Sequence, residues 1–221
     1  MTRIAQKPAL RGSQRWLQLG VGNCPDLLQP ADWPRLQWRA PVIADEFAEY
    51  MDASFLKVLD LGHLEDALAG FWPRSGPRWD GLAVFPGGVV LVEAKAHVPE
   101  ALSTPCAAGP TSLRRIAASL EHVKTALGAD ARSDWCRVLY QQANRLAHLW
   151  FLREHGIDAR LLYVNFLGDS HPQAPRHPET WAAVQAVADY ALGLPARHAL
   201  RPFIAQVAPD VRLIERAAAQ A

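Results

Sequence analysis

Two acids and a lysine fall within a short stretch that has the pattern of a β-hairpin. Asp80 lies at the start of the apolar run Trp79–Phe85, and Glu93 and Lys95 lie near the end of the run Val89–Ala96. Pro86, Gly87 and Gly88 separate the runs. A Gly–Gly pair between apolar runs predicts a two-residue turn with positive φ at both central positions. That turn sets Pro86 against Val89 and, counting outward, Asp80 against Lys95. Residues two apart on a strand share a face, so Glu93 and Lys95 point the same way. Asp80 joins them, among Leu82, Val84, Val89 and Leu91. Charges on an otherwise apolar face are costly unless compensated. A divalent cation held by Asp80 and Glu93 would compensate them. Two carboxylates leave the incomplete oxygen shell that Mg²⁺ favours when waters and a substrate phosphate complete it, and Mn²⁺ is the expected substitute. Lys95 is no ligand while charged, but it can orient a water or stabilise charge developing on a phosphate. The plain alternative is a Glu93–Lys95 ion pair on a partly exposed edge strand.

The elements that must position these groups are read from periodicity. Residues 1–35 are broken by Gly20, Gly22, Pro25, Pro30 and Pro34 and predict a short helix or two on the outside of the core, followed by a short strand over 36–40. Ile43, Phe47, Tyr50, Met51, Phe55 and Val58 recur at helical spacing and predict a helix over 43–59, with Asp45 and Glu46 in its first turn, where they suit the helix dipole. Further helices are expected over 64–69, 112–127, 134–155, 179–192 and 211–221. The run LLYVNFL within 160–167 predicts a strand covered on both faces, and another strand is expected near 202–207. Helix, hairpin, two helices, buried strand, helix is the order of an α/β layer sandwich with a mixed sheet.

The segment PRWDGLAVFPGGVVLVEAKAH resembles the core of the PD-(D/E)xK, restriction-endonuclease-like phosphodiesterases, in which an acid begins one strand and ExK ends the next. The resemblance implies a three-layer αβα sandwich with a central mixed sheet. It covers the helix–hairpin–strand–helix–strand core within 43–167, with one helix added. The domain would be 43–221, with 1–42 as an N-terminal extension packed on it. It further implies that Asp80, Glu93 and Lys95 are catalytic, and that Asp80, Glu93 and the backbone carbonyl of Ala94 hold Mg²⁺ or Mn²⁺. The implied activity is hydrolysis of nucleic-acid phosphodiester bonds. Trp79 stands where the motif's name has proline. Many members also use a glutamate on the first helix. Glu46 is the candidate, against a role as a plain first-turn residue, while Glu49 is expected on the opposite side. Some relatives carry a glutamine near the metal, and YQQANRLAHL puts Gln142 and Asn144 at the flanks of an apolar face and Gln141 towards solvent. A solvated face is the competing account of all three. His97 and Glu100 are candidates for the pocket mouth.

Composition bounds the rest. With 221 residues, half of them hydrophobic and a fifth charged, the chain can bury a sizeable core. It has no run of eighteen apolar residues, no signal-peptide pattern, and Cys24, Cys106 and Cys136 lack zinc or disulfide spacing, so a cytoplasmic protein with no membrane partner is expected. None of the eight histidines stands in a zinc-hydrolase pattern, and His148 and His155 are expected on a helix surface or end. The lysines are Lys7, Lys57, Lys95 and Lys124, so lysine at position 95 runs against the chain's preference for arginine. A net charge of +1 gives no basic surplus for gripping long duplex. Nucleic acid, DNA ahead of RNA, is the expected partner, and a homodimer or protein partner is compatible with the composition. The competing reading is a binding protein that keeps the nuclease fold without chemistry, its eight tryptophans partly serving an interface. GxSxG, Walker and GxGxxG motifs are absent.

Overall fold

In a computed structural model of the chain, which describes residues 2–130 and 133–220, five strands form a central mixed sheet. In spatial order they are β2 (Gln37–Ala40), β4 (Gly81–Phe85), β5 (Gly88–Lys95), β6 (Asp158–Asn165) and β7 (Ile204–Val207). The first two pairings are antiparallel and the last two parallel. A separate two-stranded sheet joins β1 (Thr2–Ile4) to β3 (Glu49–Met51). The helices are α1 (Gly12–Asn23), α2 (Ala53–Val58), α3 (Glu65–Phe71), α4 (Pro110–Leu127), α5 (Tyr140–Glu154), α6 (Pro178–Ala191) and α7 (Val211–Ala218). The terminal alanine of the last expected helix, Ala221, lies outside the described residues.

Strand alternation separates two cores. On one face Leu82, Val89, Leu91, Leu161 and Tyr163 pack with residues of α2, α4 and α5, among them Phe55, Leu120 and Ala147. On the other, Ala83, Val90, Val92, Ala94, Leu162 and Val164 pack with Trp16 and Leu17 of α1 and Val211 and Ile214 of α7. Val90, Leu91 and Val92 are completely buried, as a strand covered on both faces requires. Residues 1–42 supply β2 to the sheet and Trp16, Leu28 and Leu36 to the second core. Among the described residues no helix is long and apolar enough to cross a membrane.

Three sequence expectations change. The hairpin turn is Pro86–Gly87, not Gly87–Gly88, since Phe85 pairs with Gly88 and only Gly87 needs positive φ (87°). Proline followed by a positive-φ glycine is the residue pattern of a type II turn. The helix expected over 43–59 is instead a 3₁₀ turn at Ile43–Asp45, strand β3 and the short α2. Glu46, Phe47 and Asp52 all take positive φ, and β3 is held by its distant partner β1. The helix expected from 134 begins at Tyr140, after Leu139 in a left-handed conformation.

Gly88 is fixed by close approach from both neighbouring strands. A Cβ there would overlap the Phe85 ring and the carbonyl oxygen of Asp158, the latter a backbone atom that cannot swing aside. Gly88→Ala is therefore expected to cost about 1–3 kcal/mol through overpacking. Urea denaturation checks this, and an unchanged midpoint would mean that β6 yields at that point.

Candidate functional site

The site forms at the carboxyl end of β5, where the ladder to β4 stops. Gly81 pairs with Val92, so the next step outward sets Asp80 beside Glu93, not beside Lys95 as the sequence count had it. The correction is two residues, so parity holds and the charged groups still share a face. Past the last pair the Asp80 carboxylate takes over from the strand: its Oδ2 accepts the N–H of Ala94 at 2.8 Å.

Glu93 is 2 % exposed and holds a cation on each oxygen. Arg145 Nε donates to Oε2 at 2.6 Å, and Lys95 Nζ pairs with Oε1. Lys95 also donates to Gln141 Oε1 at 2.9 Å. Arg145 is clamped by further bonds to Asn144 Oδ1 and the Arg78 carbonyl, both 2.8 Å, and its guanidinium lies 4.7 Å from the centre of the Trp79 ring. The residue in the motif's proline position thus supports the cation beside the acid. Parallel pairing of β5 with β6 sets Tyr163 against Glu93 and Asn165 against Lys95. The Tyr163 hydroxyl is buried with no hydrogen-bond partner among the described residues. It lines a cavity of about 30 Å³ together with Glu93, Lys95, Gln141, Gln142 and Gln185.

The titration behaviour follows from this arrangement. Burial drives Asp80 upward and neighbouring Glu93 drives it further, to about 7, against the opposing pull of Lys95, Arg145 and the Ala94 N–H. Burial also works to raise Glu93, but Arg145 and Lys95 outweigh it and hold the carboxyl below its usual range. Lys95 loses charge stability to burial, yet Glu93 and Asp80 more than restore it, so it remains an ammonium. A lysine so held is an electrostatic group and not a base.

Several expected residues fall elsewhere. Glu46 is exposed and paired with Arg3 at 2.8 Å, because the first-turn helix that would have aimed it does not form. Glu49, assigned by helical geometry to the far side, lines the open cleft above the site with Arg78, Asp80, Ser103, Tyr140 and Arg145; the cleft volume is about 580 Å³. Gln141 faces Lys95 and not solvent, while Gln142 reaches Asp189 at 3.4 Å and Asn144 is buried beneath Arg145. His148 is buried too, its Nδ1 on the Asn144 carbonyl and its ring among Phe55, Phe71, Trp72 and Trp79; desolvation lowers its pKa to about 3. His155 is exposed at the end of α5. At the rim Glu100 Oε2 accepts the Ala96 N–H at 2.6 Å, and His97 stacks on His171 with ring centres 3.9 Å apart. The Val98 N–H bonds the Gln173 carbonyl at 3.3 Å.

Sequence reasoning did not single out Arg145. One signal was available: Gln141 and Arg145 are spaced i, i+4, so they share a helix face, and Arg145 stands amid the apolar positions of α5.

Among the described residues no group of three His, Cys, Asp or Glu side chains is gathered to hold a metal ion. The donor chemistry nonetheless fits a hard divalent cation. Asp80 and Glu93 are carboxylates side by side on one sheet face, the hard oxygen donors such an ion takes, and Asp80 opens onto a cleft where waters and a phosphate could complete the shell. Comparisons with protein-family models, curated proteins and solved structures returned no match.

The raised Asp80 pKa has a consequence for stability. The folded state binds this proton more tightly than the unfolded chain, so the group's contribution is complete below about pH 4 and is lost as pH rises through about 7. Asp80→Asn removes that loss while keeping an oxygen for the Ala94 N–H. In chelator, the variant should exceed the wild type by roughly 2 kcal/mol at pH 8, with the advantage vanishing towards pH 4. Denaturation midpoints across that range test it, and a difference independent of pH would reject the shift.

Proposed function

We propose that the protein is a Mg²⁺- or Mn²⁺-dependent phosphodiesterase acting on nucleic acid, with a restriction-endonuclease-like αβα fold. The observation that carries this reading is the meeting of Asp80, Glu93 and Lys95 on one sheet face beside an open cleft. The five-stranded mixed sheet with helices packed on both faces is compatible with that fold.

Asp80 and Glu93, with the Ala94 carbonyl, would hold the cation. When bound, it would supply Lewis-acid neutralisation of the phosphate. The chain's own groups do the rest. Lys95, kept charged and anchored by Gln141, donates to a phosphate oxygen as negative charge grows there during attack by water. Glu93 fixes the lysine from the other side. Arg78, half-exposed at the cleft, offers a cation to an adjacent phosphate. Attack by water forms the new P–O bond and the bond to the leaving oxygen breaks; the attacking water releases a proton to solvent and the leaving oxygen takes one up from solvent, so the protons balance. DNA is the first substrate to try.

A second reading has its own support. Asp80 is capped by a backbone N–H and Glu93 is paired on both oxygens, which is how a binding protein that keeps this fold without chemistry would close the site.

Purified protein with Mn²⁺ or Mg²⁺ should cleave single- or double-stranded DNA or RNA oligonucleotides, and chelator should stop it. Asp80→Asn, Glu93→Gln and Lys95→Ala should each reduce the rate by about 10²-fold or more. Full activity in all three would remove the assignment. Absence of both cleavage and Mn²⁺ binding in the wild type would favour the second reading.

A further inference from the structure

Lys95 and Arg145 both neutralise Glu93 but are held very differently. The Lys95 side chain is 14 % exposed and, among the described residues, bonded only to Glu93 and Gln141. The Arg145 side chain is 4 % exposed and fixed on four sides, by Glu93, the Asn144 side chain, the Arg78 carbonyl and the Trp79 ring. Lysine is a point charge on a flexible stem, whereas a planar guanidinium loses little freedom once its fork is satisfied. An entering cation can displace Lys95 from Oε1 of Glu93, but Arg145 stays.

Charge counting then fixes what the site accepts. Two carboxylates, Asp80 and Glu93, stand beside two cations, Lys95 and Arg145, so the cluster is balanced in charge at pH 8. A divalent ion alone would leave it with two excess positive charges in a partly buried place, which is unfavourable. Phosphodiester groups arriving with the ion would cancel that excess.

We propose that Arg145 is the resident counter-cation of this site, paired with Glu93 when no metal is bound and holding affinity for a free divalent ion low until phosphodiester groups arrive. The inference rests on the reading of Asp80 and Glu93 as a cation site. It gives Arg145 a positioning role through Glu93 and makes metal and nucleic acid bind cooperatively.

The test is Mn²⁺ calorimetry at pH 8 on the full chain, for wild type, Asp80→Asn, Arg145→Met and the double variant Glu93→Gln, Arg145→Met. Arg145→Met should bind free Mn²⁺ at least ten-fold more tightly than the wild type, and its melting temperature should rise far more on adding Mn²⁺. The double variant should lose both effects. If the methionine variant does not fold, Arg145→Gln, which keeps an amide donor for Glu93, is judged by the same ten-fold criterion. Wild-type binding that depends on Asp80, with no tightening in the Arg145 variants, would overturn the role of Arg145 and leave the cation site standing. Absence of Mn²⁺ binding in every protein would remove the cation site itself, and this inference with it.

Discussion

The architecture around the site depends on one buried anion. Glu93 sits in the middle strand of the sheet at 2 % exposure, where an unpaired carboxylate would be ruinous. Neighbouring elements converge to prevent this. β5 returns Lys95 two residues later on the same face, α5 delivers Arg145, and the loop before β4 contributes the Arg78 carbonyl and the Trp79 ring to hold that arginine. Asn144 and, through its carbonyl, His148 extend the network along α5 into an aromatic cluster. The packing of α5 on the sheet is thus set by a charge requirement as well as by apolar area.

Asp80 meets the opposite condition. Among the described residues it has one backbone donor, no cation bonded to it, and Glu93 as its neighbour. Within a few ångströms the protein maintains one acid kept ionised and one poised near neutrality. Two like groups pushed apart by environment is a recurrent sign of a functional centre: here both are buried, but Lys95 and Arg145 bond directly to Glu93, while Asp80 is bonded by the Ala94 N–H.

Much of this was legible in the sequence, and the failures have physical reasons. The face shared by Glu93 and Lys95 follows from strand periodicity, and Asp80 joins it through a two-residue turn; moving that turn by one residue changes the pairing by two and leaves the face intact. β6 and the later helices announced themselves through long, unambiguous patterns. The segment 43–59 did not, because its apolar spacing fits a helix while its conformation is decided by pairing with residues 2–4 and by positive φ at Glu46, Phe47 and Asp52, none of which has a local signature. Glu46 and Glu49 exchanged places for that reason. Gln141 is hidden differently: on a helix buried nearly all round, polarity suggests solvent exposure, when here it marks, with Arg145, the place where the helix meets the charged end of a strand.

The stacked rings of His97 and His171, with the Val98–Gln173 backbone bond beside them, join the segments that follow β5 and β6. The surface just past the carboxyl ends of these two strands is therefore made from two stretches of chain tied together. The turn at 98–101 and the segment 171–173 are thus coupled to each other, while Glu93 and Lys95 are held separately on the strand before them. A substitution at His97 or His171 would therefore be felt in both segments, whereas the ion pairs of Glu93 are made to other partners.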